Sequence, residues 1–385
     1  MTPWTAIRNA LLLFALAPYV YYVFASLAAT KLFRSRRVLA PLGFSPPISI
    51  LKPIRGLDRE TYENYASFCA QDYPEFEILF CVSDDQDSAI PVIQRIIADF
   101  PHRLIRLLIG SQPIGVSDKV NKLCRMTREA RYDLLLVSDS DVRVGPGFLR
   151  AVSAPFADAK VGGVTCLYRG LTDGSLAADL EAVGNAADFA PGVLAAWLLD
   201  GQKLNFMLGA VMLTTKQHLA SIGGFESFAD YFCDDYELGN RLASKGLRVE
   251  LSSTPACIVY PHQTFAEAVR HQLRWNLSIR FSRPWSYVGL IFAQGLFWTV
   301  LGIFLAPFAW MKWAYVVAYA LLRTDAAWRV GVRGMGDSLL RCKPWLLPLR
   351  DAFAFVVWLA AFFPRRIHWR DREFIVRQKK LILVR

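Results

Sequence analysis

Two uncharged apolar stretches near opposite ends of the chain, residues 10–29 and 287–310, most limit what it can fold into. Each matches or exceeds the ~20 apolar residues that a helix needs to cross a bilayer. With 54% of its 385 residues hydrophobic and a mean hydropathy of +0.27, the chain does not read as an ordinary soluble globule. Arg8 alone precedes the first stretch, whereas Lys31, Arg34, Arg36 and Arg37 come directly after it. That excess predicts a cytosolic location for the chain beyond residue 37. The stretch is long for a signal peptide and no small-x-small cleavage site succeeds it, so it reads as an uncleaved anchor. Towards the C-terminus we expect two or three spans, from 287–310, the apolar stretch 313–322 and the shorter 352–363. Residues 333–348 look interfacial.

The net charge of +11 raises nucleic acid as a partner. However, the basic residues crowd the apolar segments, with Arg365, Arg366, Arg370 and Arg372 after the last one. That pattern suits an anionic leaflet, and no nucleic-acid partner is expected. Seven cysteines (69, 81, 124, 166, 233, 257 and 342) show neither paired nor metal-ligand spacing, which suits reduced thiols.

Between the apolar ends, residues 46–261 read as an α/β domain. The runs "ISILKP", "FEILFCVS", "RLIRLLIG" and "DLLLVSDSD" alternate with helical stretches such as 59–70 and 89–100. Alternating strand and helix signals predict a mainly parallel sheet with helices on both faces. In such sheets ligands bind outside the carboxyl ends of the strands. No G-x-G-x-x-G comes after the first strand and "GVSDK" is not a Walker motif, which excludes dinucleotide and P-loop chemistry. Residues 176–208 are weakly patterned and carry no readable code.

Several polar groups stand where such a sheet presents ligands. Asp84 closes "FEILFCVS" and is placed to accept hydrogen bonds from a base or ribose, or is an ordinary loop acid. Asp139 and Asp141 end the strongest buried-strand signal. Residues two apart on a strand point the same way, so both carboxylates are candidate ligands for Mg²⁺ or Mn²⁺, completed by substrate phosphates. The competing view is a solvated turn. Asp235 opens a helix that Gly246 ends. It is the candidate general base for deprotonating an acceptor hydroxyl, with Asp234 as the competitor and helix capping as the alternative. In "GVSDKVNKL", Lys119, Asn121 and Lys122 are candidates to steer an anionic donor, or form a solvated turn.

Residues 264–283 predict an amphipathic helix that begins with a Thr264–Glu267 capping box. Phe265, Val269, Leu273, Leu277 and Phe281 form an apolar stripe. His271, Arg274 and Trp275 share another face. Arg274 is the candidate diphosphate contact and Trp275 the candidate acceptor wall; the alternative is a helix whose Arg and Trp only anchor it to lipid.

Taken together, "ISILKPIRGLD" with Lys52, "ASFCAQDYPEFEILFCVSD", "GVSDKVNKL", "SDSDVRV", "DDYELGNRL" and the Arg-Trp pair resemble the ceramide glucosyltransferase family and its bacterial relatives that glycosylate hopanoid lipids. The resemblance spans residues 49–284. It implies an inverting transferase with the nucleotide-sugar-binding fold called GT-A, a UDP-sugar donor and a divalent metal. By motif position, Asp84 and Asp139 would meet the UDP-sugar and its metal, with Lys52 a further candidate contact to the donor, Asp235 would be the base, and His271, Arg274 and Trp275 would form the last motif. Two departures stand out: that motif opens with His271 where Gln or Arg is usual, and the middle acidic set is a full Asp-Ser-Asp.

The expected layout is an anchor and basic linker (1–45), a cytosolic GT-A catalytic domain (46–263), the amphipathic helix (264–283), and C-terminal spans with a basic tail (284–385). The expected reaction moves one hexose, glucose or N-acetylglucosamine, from a UDP-sugar to a hydroxyl of ceramide or a hopanoid polyol in a bacterial inner membrane. A processive polysaccharide synthase, which needs more spans, and a non-enzymatic membrane scaffold are the alternatives.

Overall fold

The structure, a computed structural model, describes residues 2–34, 43–364, 366–369 and 372–384. Of the basic residues flanking the apolar segments, Arg36, Arg37, Arg365 and Arg370 lie outside the described residues. The chain divides into two compact units. One comprises Met1–Arg34, Thr172–Leu199 and His262–Pro364; the other comprises Ser35–Leu171, Asp200–Pro261 and Arg365–Arg385. Residues 172–199, inside the expected catalytic stretch by sequence, cluster with the first unit.

The second unit is built on an eight-stranded sheet. Its strands are β1 (Ile48–Pro53), β2 (Phe76–Val82), β3 (Leu104–Ile109), β4 (Leu134–Ser138), β5 (Val142–Arg143), β6 (Val161–Leu171), β7 (Val211–Thr215) and β8 (Arg248–Val259). Their order across the sheet is β3-β2-β1-β4-β7-β6-β8-β5. The half predicted from the apolar runs, β3-β2-β1-β4, is parallel throughout. β7 enters antiparallel to both β4 and β6, β6 pairs parallel with β8, and β5 closes the edge antiparallel. The expected mixed α/β fold with a mainly parallel sheet is what is found.

β2 and β4, apolar but for Glu77 and Ser138, are buried at every position, as strands covered on both faces should be. From β1 the chain winds outward to β2 and β3, then returns to place β4 on the other side of β1. The β1/β4 boundary is therefore a topological switch point, where the loops after neighbouring strands diverge and leave a crevice. Lys52 near the end of β1 and Asp139 just after β4 both fall there.

The first unit holds the helices long and apolar enough to cross a membrane: Pro3–Arg34 and Leu176–Leu199. The second falls in the stretch 176–208 that carries no readable code by sequence, and Asp179, Glu181 and Asp188 lie along it. Among the described residues, the C-terminal region offers one further candidate rather than two or three. It is the pair Pro284–Ala293 and Gly295–Leu305, bent by 54°.

The expected continuous span 287–310 is broken at Gln294, beside a close approach of the N-terminal helix. A Cβ on Gly295 would lie 2.1 Å from the Tyr22 hydroxyl oxygen, so this glycine lets the N-terminal helix approach the break. The carbonyls freed there find side-chain donors: Trp298 Nε1 donates to Ile291 O (2.8 Å) and the Tyr22 hydroxyl to Ala293 O (3.5 Å). Such replacement is what makes a broken helix tolerable in an apolar setting. The helix Ala309–Ala327 carries Lys312, Arg323 and Asp325 and does not qualify as a span.

One glycine decides how the site helix of the second unit seats. A Cβ on Gly239, in the helix Asp234–Ser244, would lie 2.3 Å from the Phe206 carbonyl carbon and 2.4 Å from Met207 N. Gly239→Val should therefore destabilise this unit by about 1–3 kcal/mol or more, as over-packing does. A fall in the thermal unfolding midpoint of the purified protein checks this.

Candidate active site

The loop after β4 and the start of the Asp234–Ser244 helix bring their acids to one cation. Lys119 Nζ lies 2.8 Å from Asp139 Oδ1, 3.6 Å from Asp234 Oδ2 and 3.4 Å from Gly209 O. Burial alone would push this ammonium's pKa down, but Asp139 and Asp234 outweigh it and hold the pKa above the usual lysine value. Lys119 sits in the first turn of the helix Asp118–Glu129, which Ser117 caps by accepting from Val120 N.

Asp235 is not a cap. The N-cap is Cys233, without a side-chain cap bond, and both Asp234 and Asp235 stand in the first turn. Burial, and next the charge of Asp234, push the Asp235 carboxyl up to about 7. A Cβ on Gly209 would lie 3.1 Å from Asp235 Oδ2, so this glycine brings backbone close to the carboxylate. Asp141 is likewise pushed up to about 7, by burial, then Asp139, then Asp58.

Asp139, Asp234 and Asp235 act on the Lys119 ammonium and Asp139 and Asp141 on that of Lys52. With the Asp141 and Asp235 carboxyls still raised, the group is short of positive charge, and that chemistry fits a divalent cation. Among the described residues no group of three or more His, Cys, Asp or Glu is placed to hold a metal. Mg²⁺ commonly needs only one or two carboxylates, the rest coming from phosphates and water. Asp139 and Asp141 suit that arrangement.

Other expected contacts are placed differently. Lys52 is fully buried, its ammonium donating to Asp139 O (2.8 Å) and Ser138 Oγ (3.3 Å) and lying 4.0 Å from the Phe68 ring centroid. Burial, opposed by Asp139 and Asp141, brings its pKa down to about 7. It braces the acidic loop from below. Asn121 accepts from Ile114 N and Gly115 N and donates to Gly115 O, so its amide is spent on its own loop. Asp84 is exposed just beyond β2 and accepts from Gln86 N. Its neighbour Ser83 donates to Asp118, which also takes the buried Lys122 ammonium (2.8 Å). Sequence reasoning had no signal for Asp118 beyond its place in "GVSDK".

In the first unit the helix Phe265–Ser282 starts with the predicted capping box. Its buried residues are Ala268, Gln272 and Leu277, while Phe265, expected in the apolar stripe, is exposed. The buried face is thus partly polar because it meets Glu181, a carboxylate fully buried in the Leu176–Leu199 helix. His271 Nδ1 is hydrogen-bonded to Glu181, Gln272 Nε2 donates to it at 2.8 Å and Gln263 Nε2 at 2.5 Å. The Trp275 ring lies edge-on to His271, with centroids 5.2 Å apart, and 6.1 Å from Phe189. Arg274 is half-buried.

A family model described as Glycosyl transferase family 21 matches residues 10–382. The chain belongs to glycosyl transferase family 21. Among characterised relatives of this family 21 protein, Ceramide glucosyltransferase 1 from Caenorhabditis elegans is 29% identical over a region covering 59% of this chain and 48% of that protein. Ceramide glucosyltransferase 3 from the same organism is 29% identical over 55% of this chain and 46% of the relative. The chain spans about half the length of the curated relatives it matches. Among solved structures, the mannosyltransferase PcManGT from Pyrobaculum calidifontis, in complex with GDP-Man and Mn²⁺, aligns over 92% of this chain and 99% of its own with a TM-score of 0.56. At 16% identity, that likeness speaks for the fold.

Glu181 is the residue that sequence reasoning missed. The available signal was Glu181 with Asp179 and Asp188 in a mainly apolar helix, positions that are costly unless partnered. Glu181→Ala should leave the His271, Gln272 and Gln263 donors without their acceptor and destabilise the first unit by about 1–3 kcal/mol. Thermal unfolding in detergent, compared with Glu181→Gln, measures the cost.

Proposed function

We propose that this family 21 protein transfers one hexose, glucose or N-acetylglucosamine, from a UDP-sugar to a hydroxyl of a membrane lipid, a ceramide or a hopanoid polyol, with inversion. The observation that carries this is the gathering of Asp139 and Asp234 on Lys119, at 2.8 and 3.6 Å, which sets Asp235, next in the same first helical turn, in one unit with the acids at the β1/β4 switch point. Burial and Asp234 raise its carboxyl towards the range of a general base. The acceptor hydroxyl gives its proton to Asp235 as its oxygen bonds to the anomeric carbon. The bond from that carbon to the diphosphate breaks, and UDP departs with the electron pair.

Asp139 and Asp141 would hold Mg²⁺ or Mn²⁺, which when bound offsets the charge of the departing diphosphate. Lys119 adds a fixed ammonium beside Asp139 and Asp234. We assign Asp84 to the nucleoside, Lys52 and Asn121 to positioning, Arg274 to phosphate charge and Trp275 to the acceptor, with His271 orienting their helix. Support for a lipid acceptor comes from the relatives named ceramide glucosyltransferase. Support for a nucleotide-sugar donor and a metal comes from the GDP-Man and Mn²⁺ of the fold neighbour. Support for a membrane setting, which we take to be the cytosolic face of a bacterial inner membrane, comes from the candidate spans.

A product assay tests the reading. Membranes containing the protein, given UDP-glucose and UDP-N-acetylglucosamine with ceramide and a hopanoid polyol, should yield a mono-hexosylated lipid by mass spectrometry, and a chelator should abolish it. A polymeric product would point to a processive synthase instead.

Asp235→Asn should lower kcat by about 10²–10⁴-fold while UDP binding persists; near-normal turnover would sink the base assignment. Because the base must be deprotonated, kcat/KM, which reports groups of the free enzyme, should rise with pH through about 7 and level off above it. Asp234→Asn removes a like charge that raises the Asp235 pKa, so the pH–rate midpoint should move to lower pH.

A further inference from the structure

After the C-terminal helices the chain re-enters the second unit and forms a small antiparallel sheet: β9 (Arg366–Trp369), β10 (Arg372–Arg377) and β11 (Lys380–Leu383). The two-residue turn between β10 and β11 is Gln378-Lys379, with φ of 51° and 65°. A tight hairpin turn of this kind needs both residues left-handed and normally uses Asn-Gly. Neither residue here is suited to it, and such outliers persist only where surrounding structure enforces them.

The enforcing structure is the segment that leads into the site helix. Phe232 N donates to Lys379 O (3.0 Å), Leu381 N donates to Asp230 O (2.7 Å), and Tyr231 pairs with Lys380 as an antiparallel bridge. Residues 230–232 thus lie along β11 as a short added strand that ends two residues before Asp234. On its other side the segment holds the Lys119 loop: Asp230 Oδ1 accepts from Val116 N (3.0 Å) and Ala229 O from Ser117 N (3.0 Å). The Lys379 ammonium lies 5.0 Å from the ring centroid of Tyr236, the residue after Asp235. One seam therefore runs from the turn through residues 229–232 to the two helix starts that carry Lys119, Asp234 and Asp235.

We infer that the C-terminal hairpin is a positioning element of the active site: its left-handed turn presents the Lys379 carbonyl to Phe232 and so fixes where Asp234 and Asp235 stand. The Lys379 backbone positions, while its side chain packs on Tyr236. This inference rests on the assignment of Asp235 as the base.

The test is a substitution series at position 379 in the full-length chain: Lys379→Gly, →Asn, →Val and →Pro. Gly and Asn accept the left-handed conformation, Val resists it and Pro is excluded from it. Two readouts are taken: hydrogen exchange of the amides at 232–236, and kcat and KM with UDP-glucose or UDP-N-acetylglucosamine and the lipid acceptors above. Protection at 232–236 should be highest for Gly and Asn and fall through Val to Pro. kcat should follow the same order, with Val down at least about threefold and Pro about tenfold or more, since small misplacement of a catalytic group is costly. KM for the sugar nucleotide should stay within about twofold.

Should the Pro variant fail to fold, Gly, Asn and Val still decide the matter. Unchanged protection and kcat across those three would overturn the inference, as would a loss in Gly equal to that in Val, which would mean that the side chain and not the turn matters. Asp235→Asn is run alongside. If that variant is active, the base assignment fails, and the exchange data still report whether the turn holds 232–236.

Discussion

The second unit depends on how its clustered carboxylates are kept together. Asp139, Asp141, Asp234 and Asp235 come from two separate parts of the chain, and like charges held this close repel by several kcal/mol at the effective dielectric of a protein. Lys119, reaching both Asp139 and Asp234, makes their approach tolerable. Its own helix is fixed by the Ser117 cap, by the amide of Asn121 in the preceding loop, and by the Lys122 ammonium buried against Ile54 O and Asp118. Lys52, also buried, ties the acidic loop to β1. The raised carboxyls of Asp141 and Asp235 are the residue of burial and repulsion that Lys52, acting on the first, and Lys119, acting on the second, do not cancel.

The first unit solves a comparable problem in an apolar setting. Arg323 meets Asp351, Asp188 (2.7 Å) and the Ala187 carbonyl, and Arg350 meets Asp188 (2.6 Å) and Gln272 (3.1 Å). The Arg350 guanidinium fits against Gly184, where a Cβ would lie 2.3 Å from its central carbon. Lys343 pairs with Asp179. A buried ion missing one partner is strongly destabilising, by about 3–5 kcal/mol, so these links act together. They join the Leu176–Leu199 helix to the helix bearing His271 and to the C-terminal helices. A π-type turn at Asn185–Phe189 sets Asp188 between the two guanidiniums.

Much of this is legible in the sequence. The apolar runs became β1 to β4, the capping box at Thr264 formed as written, and the motifs fell at strand ends and a helix start. The illegible parts have physical causes. Lys52 and Asn121 read as ligand contacts because a polar residue in a motif looks the same whether it touches ligand or braces the backbone that does. The Leu176–Leu199 helix is unreadable because its acids are partnered by residues far away in sequence, Asp179 by Lys343, Glu181 by His271 and two glutamines, and Asp188 by Arg323 and Arg350, and no local pattern announces that pairing.

The sequence by itself determined the strand-forming runs, the helix caps and the order of the acidic groups, since these depend on local periodicity and on side-chain chemistry within a few residues. Only the tertiary structure decided which cation each acid meets, that Gly295 lets Tyr22 into a broken apolar helix, and that the last strands return to brace residues 230–232. Those outcomes depend on close approaches between segments far apart in the chain, and such approaches are fixed by packing rather than by sequence neighbours.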